Sequence, residues 1–183
     1  IISHIYQKSI TLNIRGIPVT IMEGDLLKYS DWKLISFTER FDTQVDDVII
    51  NANSLNGKFI LKCIEEQKFE KLQVKISDTT DETHTSYKRY KLKSNDQWLY
   101  PLGRIKIFED YMLLAFTHIN ENYEAHLTRA DYEQCLRIMW REISRTYANK
   151  PIALPILGAG ITRFDDWDEK SSFDLLKCIP SSD

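Results

Sequence analysis

The sequence predicts an α/β fold, and three neighbouring observations carry that prediction. Residues 128–150 repeat apolar side chains at three-and-four spacing, a helical period. Pro151-Ile-Ala-Leu-Pro-Ile-Leu157 then runs apolar without alternation, as a strand covered on both faces in a mostly parallel sheet does. A glycine loop, Gly158-Ala159-Gly160-Ile161, follows directly, and a second helical pattern starts near Asp168. In open α/β sheets, ligands occupy the crevice beyond the carboxyl ends of the strands. Glycines placed there let a ligand reach backbone N–H groups; a tight turn without a ligand would use the same residues.

The chain is 183 residues long and 43% apolar, which fits one domain, residues 1–183, with its own core. A net charge of −3 argues against nucleic acid as the main partner, since non-specific binding to it needs a basic surface. Cys63, Cys135 and Cys178 lie far apart in apolar helical patterns and read as buried thiols of a reducing compartment. His4, His84, His118 and His126 share no metal-ligand spacing with each other or with the cysteines, so no metal is expected. No apolar run approaches the roughly 18 residues that cross a bilayer, and no signal peptide is visible. The chain begins at Ile1 rather than Met, which fits an excised or processed domain.

Along the chain, residues 9–14 and 17–22 alternate polar and apolar around Arg15-Gly16. They predict a hairpin at the edge of the sheet, where Pro18 is tolerated. Gly24-Asp25-Leu26 follows; Asp25 either accepts hydrogen bonds from a ligand or caps a short helix. Residues 32–37 predict a strand running into Thr38-Glu-Arg-Phe41-Asp42, and 47–50 a short extended run. Asn51-Ala-Asn53-Ser54-Leu55-Asn56-Gly57 reads as a polar loop before a helix that reaches about Lys71. Such a loop suits an anionic ligand at free helix N–H groups, or is ordinary turn chemistry. Residues 78–97 are the most polar stretch and predict an exposed, mobile excursion. Strands over 105–108 and 111–118 share the turn Glu109-Asp110, and the second is apolar enough to be central. His118 ends it, as a ligand contact or as a structural residue. Thr128 and Asp131 open the next helix as a capping box, and Tyr132, Cys135, Leu136, Met139, Trp140, Ile143 and Tyr147 form its core stripe.

Three stretches in this order resemble the macro domain, a three-layer α/β/α fold with a mixed central sheet that binds ADP-ribose and its relatives. They are Val19-Thr-Ile-Met-Glu-Gly24-Asp25-Leu26, Asp47-Val-Ile-Ile-Asn51-Ala-Asn53-Ser-Leu55, and Leu154-Pro-Ile-Leu-Gly158-Ala-Gly160-Ile161. The resemblance covers residues 17–179 and is closer to the divergent macro-like domains of Thoeris antiphage effectors. Shared with those are Ile35-Ser-Phe-Thr-Glu-Arg-Phe41-Asp42-Thr43, Ser54-Leu-Asn-Gly57, Tyr100-Pro-Leu-Gly103 and Leu154-Pro-Ile-Leu-Gly158.

The resemblance implies a cytoplasmic receptor for an ADP-ribose-type signal made from NAD by a TIR-domain partner, with no cofactor and no chemistry of its own. It also implies self-association and a membrane anchor upstream. Gly24, Asp25 and Leu26 would meet adenine, Asn53, Ser54, Leu55 and Gly57 the ribose side, and Asp42 would also contact the ligand. Leu157, Gly158, Ala159, Gly160 and Ile161 would meet the diphosphate, with Gly103 and Thr117 completing the rim. Arg163, beside the glycine loop, either offsets the diphosphate charge or is a solvated surface arginine. Where hydrolytic macro domains carry consecutive glycines, this chain reads Asn56-Gly57-Lys58-Phe59, which disfavours hydrolysis and leaves open whether Asn51 or Asn53 faces the ribose. The rival is an ADP-ribosyl hydrolase that positions water with Asn53 or Asp42. No Walker lysine follows the glycines, so NTP hydrolysis is disfavoured.

Overall fold

The computed structural model describes residues 9–14, 16–78, 90–91, 98–160 and 162–167. Strands β1 (Ser9–Ile14) and β2 (Ile17–Met22) form the expected antiparallel hairpin, with Ile10 opposite Ile21 and Leu12 opposite Val19. It is not an edge of the main sheet, however, but a separate two-stranded sheet, and Ile10 remains 64% exposed. Alternation fixes one apolar face; it does not say which sheet that face belongs to.

Strand β3 (Trp32–Thr38) leads through a loop to helices α1 (Leu55–Glu65) and α2 (Phe69–Ser77). Two short strands, β4 (Tyr90–Lys91) and β5 (Trp98–Leu99), pair with each other. Then come β6 (Ile105–Phe108), β7 (Tyr111–Ile119), β8 (Ala125–Leu127), α3 (Arg129–Thr146), β9 (Ile152–Ala153) and β10 (Arg163–Phe164). The main sheet has the order β10-β8-β7-β3-β9, and β6 also pairs with β7. β3 lies parallel to β7 and to β9, and β10 parallel to β8, while β6 and β8 run antiparallel to β7. The sheet is therefore mixed, and β7 is central, as its apolar run predicts.

Period two along β3 and β7 divides the core between the two faces. Leu34, Met112, Leu114 and Phe116 meet Tyr132, Cys135, Leu136, Met139 and Ile143 of α3. Ile35, Phe37, Leu113 and Ala115 meet Phe59, Ile60 and Cys63 of α1 and Leu72 of α2. Helices thus cover both faces, which makes the fold the three-layer α/β/α arrangement with a mixed central sheet. The capping box of Thr128 and Asp131 is present at the start of α3.

Several elements differ from expectation. The run 152–157 is not a strand covered on both faces: only Ile152–Ala153 pair, at the sheet edge, and Ile156 is 41% exposed. Pro155 has no N–H to donate, so the ladder stops short of it. The polar loop before α1 ends earlier than expected, because Gly57 already lies inside the helix. The helix then stops well before Lys71. Gln67, with φ 56°, takes the left-handed position while Lys68 N donates to Cys63 O at 2.7 Å and Gln67 N to Ile64 O at 3.1 Å. That is a Schellman stop built without glycine, so the sequence carries no signal for it. Residues 47–49 are bends rather than a strand, because the Asp46 carboxylate accepts from Val48 N at 3.0 Å and Ile49 N at 2.8 Å, and Ile50 makes only an isolated bridge to Val45. Helix α3 ends at Thr146, where Ala148 and Asn149 turn left-handed. The helical pattern from Asp168, Ile161, Cys178 and most of the polar 78–97 excursion lie outside the described residues.

Candidate functional site

The parallel strands β3, β7 and β9 direct their carboxyl ends to one rim. Helix α1 runs back along them: Lys62 Nζ donates to Tyr111 Oη at 3.2 Å and Lys68 pairs with Glu109 at 2.9 Å, both at the amino end of β7. Its first turn, 55–57, therefore stands at the same rim. The chain leaves the sheet at the β9 edge after Ala153 and re-enters it at the opposite edge as β10, from Arg163. Tyr132 Oη of α3 donates to Leu157 O at 3.2 Å and anchors that crossing.

Two features of this crossing describe its glycines. Gly158 is buried with φ +83°, and a side chain at Gly160 would meet nothing within 4 Å. The bend is held by Ala159 N donating to Ile156 O at 3.2 Å. At the carboxyl end of β3, the strand pairing skips a residue of β7 between Phe37 and Thr38, a bulge of the kind that re-aims side chains beside binding sites.

The turn after that bulge is tightly specified. Thr38 Oγ1 donates to Asp42 Oδ2 at 3.0 Å, Phe41 N donates to Thr38 O at 3.0 Å, and Glu39 N donates to Thr117 O at 2.8 Å. Phe41 has φ 53°, a conformation that costs a bulky residue about 1–3 kcal/mol. Its ring is buried between Phe37, at 5.5 Å between centroids, and Tyr100, at 5.1 Å. Packing on both sides thus holds a strained backbone at the rim. Burial raises the pKa of the Asp42 carboxyl, against the opposing effects of the Thr38 hydrogen bond and the Arg40 charge.

The remaining sequence-predicted residues divide by what holds them. Asn51 Oδ1 accepts from Asn53 N at 2.8 Å, and Ser54 Oγ caps α1 by accepting from Gly57 N at 2.9 Å. A Cβ on Gly57 would lie 2.2 Å from Asn51 O, so this glycine is required where the helix meets its own entry loop. Leu55 packs on the α1 face of the core. Gly103, with φ +88°, is pressed against α3, where a Cβ would lie 2.5 Å from Ile138 Cβ. Thr117 is buried. Gly24 is exposed and Leu26 half-buried, while Asp25 caps the 3-10 turn by accepting from Leu27 N at 3.1 Å and pairs with Lys28 at 3.6 Å. Arg163 reaches the rim on β10, yet Glu124 holds its guanidinium at 2.8 Å. Ile161 lies outside the described residues.

His118 is the satisfied residue that one of its two readings expects. Its Nδ1 lies 2.7 Å from Glu39 Oε2, its Nε2 4.0 Å from Asp131, and its ring 5.8 Å from that of His126. His126 in turn pairs with Asp165 at 3.0 Å. The Glu39 hydrogen bond raises the pKa of His118 above the ordinary value, against the effect of burial. Glu39 lies inside the shared 35–43 stretch without being singled out there, and neither His126 nor Asp165 is marked in the sequence as part of this cluster. Among the described residues, no group of three or more His, Cys, Asp or Glu side chains could hold a metal ion. Cys63 and Cys135 are free and buried, and burial pushes their thiols up to about 11 and about 12. No described helix is long and apolar enough to cross a membrane.

A family model described as "Thoeris protein ThsA, Macro domain" matches residues 19–182. The chain is 34% identical over 166 residues to Thoeris protein ThsA of Bacillus amyloliquefaciens (strain Y2), an alignment that takes in 90% of this chain. The same alignment covers 56% of that relative, so the chain spans about half the relative's length.

Proposed function

The chain belongs to the Thoeris ThsA macro-domain family, and from that premise we propose that it is a receptor for an ADP-ribose-type nucleotide derived from NAD. One observation carries the reading: the open 158–160 bend and the strained 38–42 turn each follow a parallel strand, β9 and β3, beyond its carboxyl end. The bend offers the backbone N–H groups of Gly158 and Gly160 to a diphosphate, and the first turn of α1 offers those of Leu55 and Asn56, which the Ser54 cap does not take, to the ribose side. A TIR-domain partner supplies the signal, and binding biases how copies of the domain associate. Such a bias requires the ligand to bind one assembly state better than the other.

Calorimetric titration of the chain with ADP-ribose tests the reading, with saturable binding expected at one site. Mass spectrometry of the ligand retained from cells expressing the TIR partner then identifies the group on the distal ribose. Heat-free titrations together with an empty retained fraction would reject the receptor. A hydrolase is the second reading, and the raised pKa of Asp42 at the rim favours it, because a carboxyl displaced in this way suits proton transfer. Incubation with ADP-ribosylated protein separates the two: a hydrolase releases free ADP-ribose, and a receptor leaves the modified protein intact.

A further inference from the structure

A diphosphate brings about two negative charges, one per phosphate, to a chain whose net charge is already −3. Backbone N–H groups offset part of that. A cation not already held by a carboxylate offsets far more. Arg163, which sequence position favours, is held by Glu124, and Lys62, Lys68, Arg104 and Arg129 have carboxylate partners of their own.

Arg40 differs. Its side chain is half-buried, its Nε is shut off from solvent, and nothing accepts a hydrogen bond from that nitrogen. Leaving a charged donor buried without an acceptor costs more than any single hydrogen bond gains. The nearby acid does not resolve this. Asp42 feels the Arg40 charge, but its carboxylate is engaged by Thr38 Oγ1 at 3.0 Å, and no ion pair joins the two. The backbone around Arg40 is fixed, by Arg40 N donating to Thr38 Oγ1 at 3.3 Å and by the left-handed Phe41 beside it. The chain thus presents, on a fixed backbone in the turn that follows β3, a guanidinium whose buried Nε lacks an acceptor.

We propose that Arg40 is the phosphate-binding side chain of this rim, its guanidinium taking the diphosphate of the nucleotide that the 158–160 bend contacts from the other side. The assignment rests on the receptor reading above. Arginine suits the task because its planar fork of donors matches phosphate oxygens in pairs.

The test is calorimetry of the chain, as wild type, Arg40→Gln and Arg163→Ala, against ADP-ribose and against inorganic pyrophosphate, with unliganded melting temperatures measured alongside. Arg40→Gln is expected to weaken both ligands roughly tenfold or more, the loss of a charge-assisted contact. Its unliganded melting temperature should stay level or rise, because the change removes a charged group whose buried Nε lacks an acceptor. Arg163→Ala should bind like wild type. Equal affinity of Arg40→Gln and wild type for ADP-ribose would overturn Arg40 and leave the receptor standing. A wild type that binds neither compound would overturn both. A lower unliganded melting temperature for Arg40→Gln would make Arg40 a structural residue and overturn the assignment as well.

Discussion

Two glycine-bearing stretches meet at the same rim, 51–57 and 158–160, and their glycines serve opposite purposes. Gly57 is buried, and a methyl group there would lie 2.2 Å from Asn51 O. Gly160 is exposed, and a methyl group there would touch nothing within 4 Å. The first glycine is explained by the protein's own packing. The second is not, and it is where the proposed ligand would come close. Gly103 belongs with Gly57, because α3 closes over it. Gly158 is mixed: its φ of +83° strains any side chain whether or not a ligand is present.

The comparison breaks most visibly at Gly103. Gly103→Ala combines a left-handed backbone with a Cβ 2.5 Å from Ile138 Cβ, and is expected to cost about 3 kcal/mol in urea denaturation. Gly57→Ala follows at about 2 kcal/mol, because alanine recovers part of the clash through its better helix propensity. A Gly57→Ala variant as stable as wild type would place Gly57 with Gly160 and reopen it as a ligand contact.

Gly160→Val sharpens the same contrast from the other side. Stability should stay within about 0.5 kcal/mol of wild type, as for surface changes that touch nothing. Affinity for ADP-ribose should nevertheless fall roughly tenfold, about 1.4 kcal/mol, because the side chain occupies the ligand's approach to the bend. Gly158→Val is the poorer test, since strain and ligand exclusion act there together. Wild-type affinity in a folded Gly160→Val protein would remove the bend from the site.

Sequence pattern reaches far into this fold where periodicity is enforced by two-sided burial. β3, β7 and α3 are legible for that reason: Leu34 and Ile35 face opposite helical layers, and the α3 stripe is one face of a helix. β8 and β10 are too short, at three and two residues, to show any period, and were not anticipated. The stop after α1 uses Gln67 where glycine is usual, so no letter announced it. The candidate site follows the same logic. Its glycines were visible as letters, but whether each meets a helix or open space depends on residues distant in sequence. Arg163 and Arg40 show the limit plainly, since only the fold reveals that Glu124 holds one and nothing holds the Nε of the other.

The smallest expected effect concerns His118, which links β7 to the turn after β3. The groups facing it are Glu39 from that turn, Asp131 from α3, His126 from β8 and Asp165 beyond β10. The Glu39 hydrogen bond raises the folded-state pKa of His118, with burial opposing and the neighbouring carboxylates assisting. A histidine raised on folding stabilises fully below its unfolded value of about 6.5 and loses that contribution as pH rises through the folded value. The stabilisation should therefore be present near pH 6 and fade at higher pH. His118 is 35% exposed, so solvent screening keeps the effect below about 1 kcal/mol. Urea denaturation of wild type and Glu39→Gln across about pH 5.5 to 8.5 measures it. Wild type should lead by most at the acid end, with the gap narrowing above neutrality. The hydrogen bond from Ile119 N to Glu39 Oε1, at 3.4 Å, does not titrate in this range and should leave only a constant offset. A gap that stays level across the window would assign the whole Glu39 contribution to that backbone contact and none to the histidine.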